Sequence, residues 1–115
     1  NKGRGVFATK AFKIGETIEI CPIIILSKEE CKHYDNTILG EYLYEWENED
    51  DGGVILGYGL LYNHSYTPNA EYVRDFENKT MIYQAVTDIA SGDEITINYN
   101  GHPSATDPID WFQVK

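Results

Sequence analysis

Three stretches of this sequence hold residue types that could do chemistry. Leu60-Leu61-Tyr62-Asn63-His64-Ser65-Tyr66-Thr67-Pro68-Asn69 is an apolar run that delivers a dense cluster of amide, imidazole and hydroxyl groups, closed by Pro68 and Asn69, with no charged residue. Such a cluster is costly to bury unless its polar groups find partners. It is either a polar turn whose asparagines satisfy backbone groups or a built site. A Ser/His nucleophile pair at His64 and Ser65 is disfavoured, because neighbouring side chains on an extended chain point to opposite faces. Gly92-Asp93-Glu94-Ile95-Thr96-Ile97-Asn98-Tyr99-Asn100 reads as a strand that ends in a tyrosine and a polar pair. Gly3-Arg4-Gly5-Val6-Phe7-Ala8 places two glycines ahead of a strand, where a backbone can approach a ligand closely or simply turn.

The elements that must position these residues are mostly strands. Phe12-x-x-Gly15-Glu16-x-Ile18-x-Ile20 is echoed by Ile89-x-x-Gly92-Asp93-x-Ile95-x-Ile97 with the register kept. Each copy predicts a turn followed by a strand, with glycine at the corner and isoleucines two apart along one face. Further strands are predicted over 5–9, 23–26, 70–76 and 80–86, the last two joined by a turn around Asn78. Ser27-Lys28-Glu29-Glu30 has the form of a capping box, so a short helix is expected from Lys28 towards Tyr34. The pattern implies a pseudo-symmetric, mainly β domain with a short helical insert.

Length and charge bound what such a domain can do. The 115 residues, 42% hydrophobic, suit one compact domain. Nineteen acidic residues against nine basic ones give a formal charge of -10, which repels a phosphate backbone and favours a cationic partner. From Glu41 to Asp51 tyrosines and a tryptophan (Tyr42, Tyr44, Trp46) alternate with acids. That run is either a solvated loop with packed rings or an acidic rim for a basic peptide. Cys21 and Cys31, the only cysteines, are too few for a disulfide framework and are not spaced for zinc, which fits a reducing compartment. No stretch approaches the roughly 20 apolar residues of a membrane span, and no secretory pattern opens the chain, so a soluble domain is expected. The start at Asn1, with no methionine, is read as the trimmed or disordered end of a longer N-terminus.

The three motifs, in this order, resemble the SET-domain family of protein-lysine methyltransferases, over nearly the whole chain. Gly3-Arg4-Gly5-Val6-Phe7-Ala8 is similar to the family's first G-x-G motif. Asn63-His64-Ser65-x-x-Pro68-Asn69 is similar to its N-H-S-x-x-P-N motif, and Glu94-Ile95-Thr96-Ile97-Asn98-Tyr99 to its E-L-x-Φ-D-Y motif, where Φ is aromatic or apolar. The small size resembles that of viral and bacterial members. The resemblance implies a single β-clip-like SET domain over 1–115. In it, the chain after the N-H-S motif crosses near Tyr99 in a pseudoknot, an exception to unthreaded topology. It implies that S-adenosylmethionine is bound around Arg4, Gly5, Asn63 and His64, that Tyr99 is catalytic, and that a lysine in a basic, histone-like protein segment is the substrate. No direct nucleic-acid or membrane partner is expected. A homodimer would complete the substrate surface of so small a domain, and the compartment expected is the cytoplasm, or the host nucleus for a viral protein.

Departures from the family pattern are as informative. Asn98 stands where the family has aspartate, Ile97 where an aromatic is common, and Cys21-Pro22-Ile23 where many members carry Y-x-G. These changes bear on the wall of the lysine channel, for which Tyr58 and Tyr72 are candidates together with Ile97; each tyrosine could equally be a core residue. No cysteine follows Cys31, so the zinc cluster seen after many SET domains is not expected and no metal is assigned. The tail over 100–115 offers Trp111 and Phe112 instead, to stack on the adenine, to close the lysine channel, or simply to anchor the tail. Against the active enzyme stands a catalytically silent SET-like module that binds a basic peptide.

Overall fold

The computed structural model describes residues 4–46, 51–101, 103, 104 and 106. The strands form two sheets. The smaller joins β1 (Val6–Phe7), β8 (Glu94–Ile97) and β5 (Asn63–His64) in the order β1-β8-β5. The larger has the order β3-β4-β2-β7-β6, built from β2 (Thr17–Leu26), β3 (Tyr44–Glu45), β4 (Gly52–Ile55), β6 (Ala70–Asp75) and β7 (Thr80–Ala85). The mainly β class follows from this, with helix α1 (Lys28–Asp35) and a 3₁₀ turn (Ile38–Tyr42) between β2 and β3.

The sequence echo becomes a contact between its own two copies. Phe12 and Ile89 form an antiparallel bridge and exchange both backbone hydrogen bonds, at 2.9 and 2.8 Å. Each copy closes the same turn: Glu16 Oε1 accepts from the Lys13 N–H at 2.8 Å and Asp93 Oδ2 from the Ala90 N–H at 3.1 Å. Gly15 (φ 85°) and Gly92 (φ 94°) supply the left-handed corners, which a side chain would strain.

The copies diverge in the strands that follow. Ile95 and Ile97 are buried on one face as expected, but Ile20 is 59% exposed. A β-bulge explains the difference. Thr17 pairs with Gln84 and Glu19 with Tyr83, so Ile18 is an extra residue and the alternation of faces slips by one. Glu19 is thereby turned towards the interior, followed by Cys21.

The inner face of the larger sheet supplies Cys21, Ile55, Ala70, Tyr72, Met81 and Tyr83 to a core completed by Tyr62, Ile95 and Ile97. At the start of α1 the Ser27 hydroxyl accepts from the Glu30 N–H at 3.3 Å and the Glu30 carboxylate from the Ser27 N–H at 3.0 Å, the reciprocal pair that the Ser-x-x-Glu spacing predicts. No helix among the described residues is long and apolar enough to cross a membrane.

Candidate active site

Strand β8 brings the polar motifs together. It runs parallel to β5, with Asn63 opposite Thr96 and His64 opposite Ile97, and antiparallel to β1, with Val6 opposite Ile95. A parallel neighbour distant in sequence thus sets the start of the Asn-His motif beside the strand that leads to Tyr99. Asn69 locks the return of the chain: its Nδ2 donates to the Glu94 carbonyl at 2.8 Å, and its Oδ1 accepts from the Thr96 N–H at 2.9 Å. The Ser65 N–H donates to the Ile97 carbonyl at 2.9 Å.

Asn63 ties all three motifs. Its Nδ2 donates to the Arg4 carbonyl at 3.0 Å and to Glu94 Oε2 at 2.7 Å, so one amide holds the first glycine motif against the last strand. Gly5 makes that approach possible, since a Cβ there would sit 2.5 Å from Glu94 Oε2 and 2.9 Å from Asn63 Nδ2. The bond to Glu94 was not evident in the sequence, because it needs the parallel pairing of β5 with β8 to exist.

Tyr99 is held at both ends. Its N–H donates to His64 Nδ1 at 3.0 Å, so that nitrogen is the unprotonated one, and its hydroxyl donates to the Tyr62 carbonyl at 2.6 Å. Burial first, and then the neighbouring Tyr42 and Glu94, push the Tyr99 phenol up to about 12. The group is therefore a neutral donor near pH 7, whose oxygen keeps its acceptor capacity. The His64 ring packs at 5.1 Å from that of Tyr99 and takes the edge of Tyr66 at 4.4 Å.

These residues open into a cleft of about 1280 Å³. Arg4, Asn63, His64, Tyr72 and Tyr99 line it, so the structure gathers five of the residues singled out from the sequence. Tyr72 is 7% exposed, meets Tyr44 edge-on at 5.3 Å and donates its hydroxyl to the Tyr99 carbonyl at 3.3 Å. Arg74 stands over the Tyr72 ring at 5.5 Å and donates to the Glu45 carbonyl at 2.8 Å. Tyr42, Tyr44 and Trp46 of the acid-and-aromatic run also line the cleft, with Leu60 and Phe76. Their alternation with acids was the available signal, although nothing local could say which rings face inward.

Three placements differ from what the residue types suggested. Tyr58 is 63% exposed on the turn after β4 and is not among the lining residues; a four-residue turn puts its ring outside while its N–H bonds Glu19 at 3.0 Å. Ile97 is fully buried in the core behind Tyr99 rather than on the cleft surface. Gly5 lies behind Arg4, against Asn63 and Glu94. Asn98, at the family's aspartate position, is buried and ties the following turn: its Oδ1 accepts from the Asn100 N–H at 3.0 Å, and its Nδ2 reaches the Pro103 carbonyl at 3.5 Å, a donation that aspartate could not make. Trp111 and Phe112 fall outside the described residues, as do Glu47, Glu49 and Asp50 of the acidic run.

No group of three or more metal-ligating side chains occurs among the described residues. The cysteine Cys21 is unsuited to nucleophilic work, since burial and the charge of Glu19 push its thiol up to about 12.

Comparison with known proteins gives a consistent pattern. The family model described as SET domain matches residues 3–100. A curated relative of Schizosaccharomyces pombe, named histone-lysine N-methyltransferase, H3 lysine-37 specific, is 38% identical over 102 residues, spanning 88% of this chain and 69% of that protein. Among solved structures, a candidate histone methyltransferase of Plasmodium falciparum is 38% identical with a TM-score of 0.66, covering 85% of this chain and 87% of that one. The structure of ctPRC2 in complex with H3K27me3 and H3K27M matches at a TM-score of 0.70 but only 19% identity, over 85% of this chain and 13% of that one, and speaks for the fold alone.

Proposed function

The chain belongs to the SET-domain family, and from that premise we propose that it is a protein-lysine N-methyltransferase. In this reading it draws on S-adenosylmethionine and acts on a lysine in a basic, histone-like segment. The observation that carries the proposal is the convergence of Asn63, His64 and Tyr99 on one cleft, with Tyr99 fixed at both its N–H and its hydroxyl.

The lining fits a sulfonium cofactor and an alkylammonium substrate. Five tyrosines, Tyr42, Tyr44, Tyr62, Tyr72 and Tyr99, are among the lining residues, and aromatic rings attract cations. Gly5 lets the backbone at Arg4 lie close against Asn63 and Glu94. Arg4, Asn63 and His64 are the residues to hold the cofactor, with Gly5 acting behind them by letting the Arg4 backbone close on Asn63; the cofactor when bound supplies an electrophilic methyl group on sulfur.

The protein's task is alignment and desolvation. Tyr72 and Tyr44 form an apolar wall for the lysine stem and exclude water. Because lysine ordinarily titrates near pH 10.4, the exclusion of water, together with the positive sulfonium beside the amine, favours its neutral, nucleophilic form. Tyr99, its proton committed to the Tyr62 carbonyl, offers its phenol oxygen as a fixed acceptor beside the reacting amine. With the phenol held neutral by burial, the role assigned to Tyr99 is orientation through its oxygen. The charge of -10 favours a basic protein substrate.

Incubation with isotopically labelled S-adenosylmethionine and a panel of basic proteins tests this. Label on lysine supports it. Cofactor binding with no transfer to any protein would instead favour a catalytically silent module, and no binding of the cofactor at all would remove the reading.

A further inference from the structure

We propose that Glu19 is a positioning residue for Tyr99, acting through Tyr62 without touching substrate or cofactor; this rests on the reading of Tyr99 as the catalytic tyrosine. The β-bulge at Ile18 is what aims Glu19 inward, where a regular strand would have turned it out. Its two oxygens then divide the work. Oε1 accepts from the Tyr62 hydroxyl at 2.8 Å, and Oε2 from the Tyr58 N–H at 3.0 Å.

Between those two anchors runs the turn that presents the Tyr62 carbonyl, the atom to which the Tyr99 hydroxyl donates at 2.6 Å. The turn is fitted closely to the carboxylate. Gly57, at φ 66°, has no room for a Cβ, which would fall 2.6 Å from Glu19 Oε2. A Cβ on Gly59 would collide with Ile55 Cγ2. Tyr83 braces the far side, with its hydroxyl on the Gly59 carbonyl at 3.1 Å and its ring stacked on Tyr62 at 4.3 Å.

Glu19 is thus joined to the reacting hydroxyl through one side chain and one carbonyl. A partly buried carboxylate costs desolvation that a neutral residue would not. Here it is met by the Tyr58 N–H and the Tyr62 hydroxyl, which both belong to the segment carrying the Tyr62 carbonyl, with the Cys21 thiol beside them. Loss of either anchor lets that carbonyl drift and loosens Tyr99 while the cofactor residues Asn63 and His64 stay in their ladder.

The test uses the full chain, with Glu19→Gln and Tyr62→Phe made singly and together. Glutamine keeps the size but can offer an oxygen to only one of the two donors; phenylalanine keeps the ring stack and removes one hydroxyl. In each single variant kcat is expected to fall about tenfold or more. KM and the calorimetric Kd for S-adenosylmethionine are expected to stay within about twofold, with the double variant no worse than the worse single. In parallel, 3-fluorotyrosine is placed at position 99, and its ¹⁹F resonance is expected to shift or broaden in both variants.

An unchanged kcat and an unchanged resonance in folded Glu19→Gln overturn the proposal, as does an equal loss of cofactor affinity. Should Glu19→Gln fail to fold, Tyr62→Phe decides by the same readouts. If the parent protein methylates nothing, the methyltransferase reading fails, and the fluorine resonance still reports whether Glu19 governs Tyr99.

Discussion

The Tyr99 hydroxyl donates to the Tyr62 carbonyl at 2.6 Å, so the tyrosine at the end of β8 is fixed by the backbone that leads into β5. Two segments remote in sequence therefore fix the position of one hydroxyl. Tyr99→Phe keeps the ring and its contact with His64 and removes only that anchor and the acceptor oxygen. It is expected to lower kcat about a hundredfold, a loss of the size seen when one positioned polar group is removed, with cofactor Kd within about twofold. Steady-state kinetics paired with calorimetry checks it; an unchanged kcat contradicts the role.

Asn63→Ala removes the amide that joins Arg4 to Glu94. Leaving a part-buried carbonyl and carboxylate without that donor costs about 1–3 kcal/mol at most. In a domain of this size that lowers Tm by several degrees. Cofactor affinity is expected to fall with it, and calorimetry showing normal affinity in a folded variant would refute the assignment.

Gly5→Ala attacks the same junction from the other strand. Its Cβ would be driven to 2.5 Å from Glu94 Oε2, so either the Asn63–Glu94 bond or the β1–β8 pairing must open. Weaker cofactor binding is expected, accompanied by a lower melting temperature. A crystal structure of the variant with the Asn63–Glu94 distance unchanged would contradict this.

Ser27→Ala leaves the site alone and removes one half of the capping box of α1. It is expected to cost about 1 kcal/mol of stability with kcat and KM unaltered. Thermal denaturation with parallel kinetics separates the two effects, and a matching loss of activity would show that α1 is coupled to the cleft.

Burial raises Tyr99 to about 12 and pushes Tyr62, Tyr83 and Tyr44 higher still. In the unfolded chain these phenols ionise near pH 10. Their contribution to stability is accordingly complete below that pH and is lost as pH rises through the folded values, because only the unfolded state has released its protons. Unfolding is expected to become easier from about pH 10 upward. Methyl transfer should gain from substrate lysine deprotonation without a decline caused by Tyr99 ionising below that pH. Tyrosinate absorbance of Tyr99 that rises at pH 10 while circular dichroism is still native would contradict the burial.

What the sequence discloses is what depends on short range. The capping box at Ser27, the hairpin of β6 and β7 with its turn at Asn78, and the glycine corners at Gly15 and Gly92 are each set within a few residues, and each stands where the spacing puts it. The bulge at Ile18 is invisible locally, since an extra residue exists only relative to the register of β7, more than sixty positions away. Glu19 was hidden for that reason. Tyr58 and Tyr72 were indistinguishable as residues; a turn after β4 exposed one and the sheet interior took the other. The motif order could point to a shared site, whereas the Asn63–Glu94 bond needed the parallel β5–β8 pairing before it could form.

The central claim is that the cleft holding Asn63, His64 and Tyr99 transfers methyl groups to lysine. It is tested most directly by single-turnover incubation with S-adenosylmethionine and core histones, read by mass spectrometry of the intact proteins and their peptides. One or more additions of a methyl mass on lysine are expected with the parent protein, reduced about a hundredfold with Tyr99→Phe. Methylation that persists undiminished in that variant, or a parent protein that binds the cofactor and modifies no lysine, would contradict it.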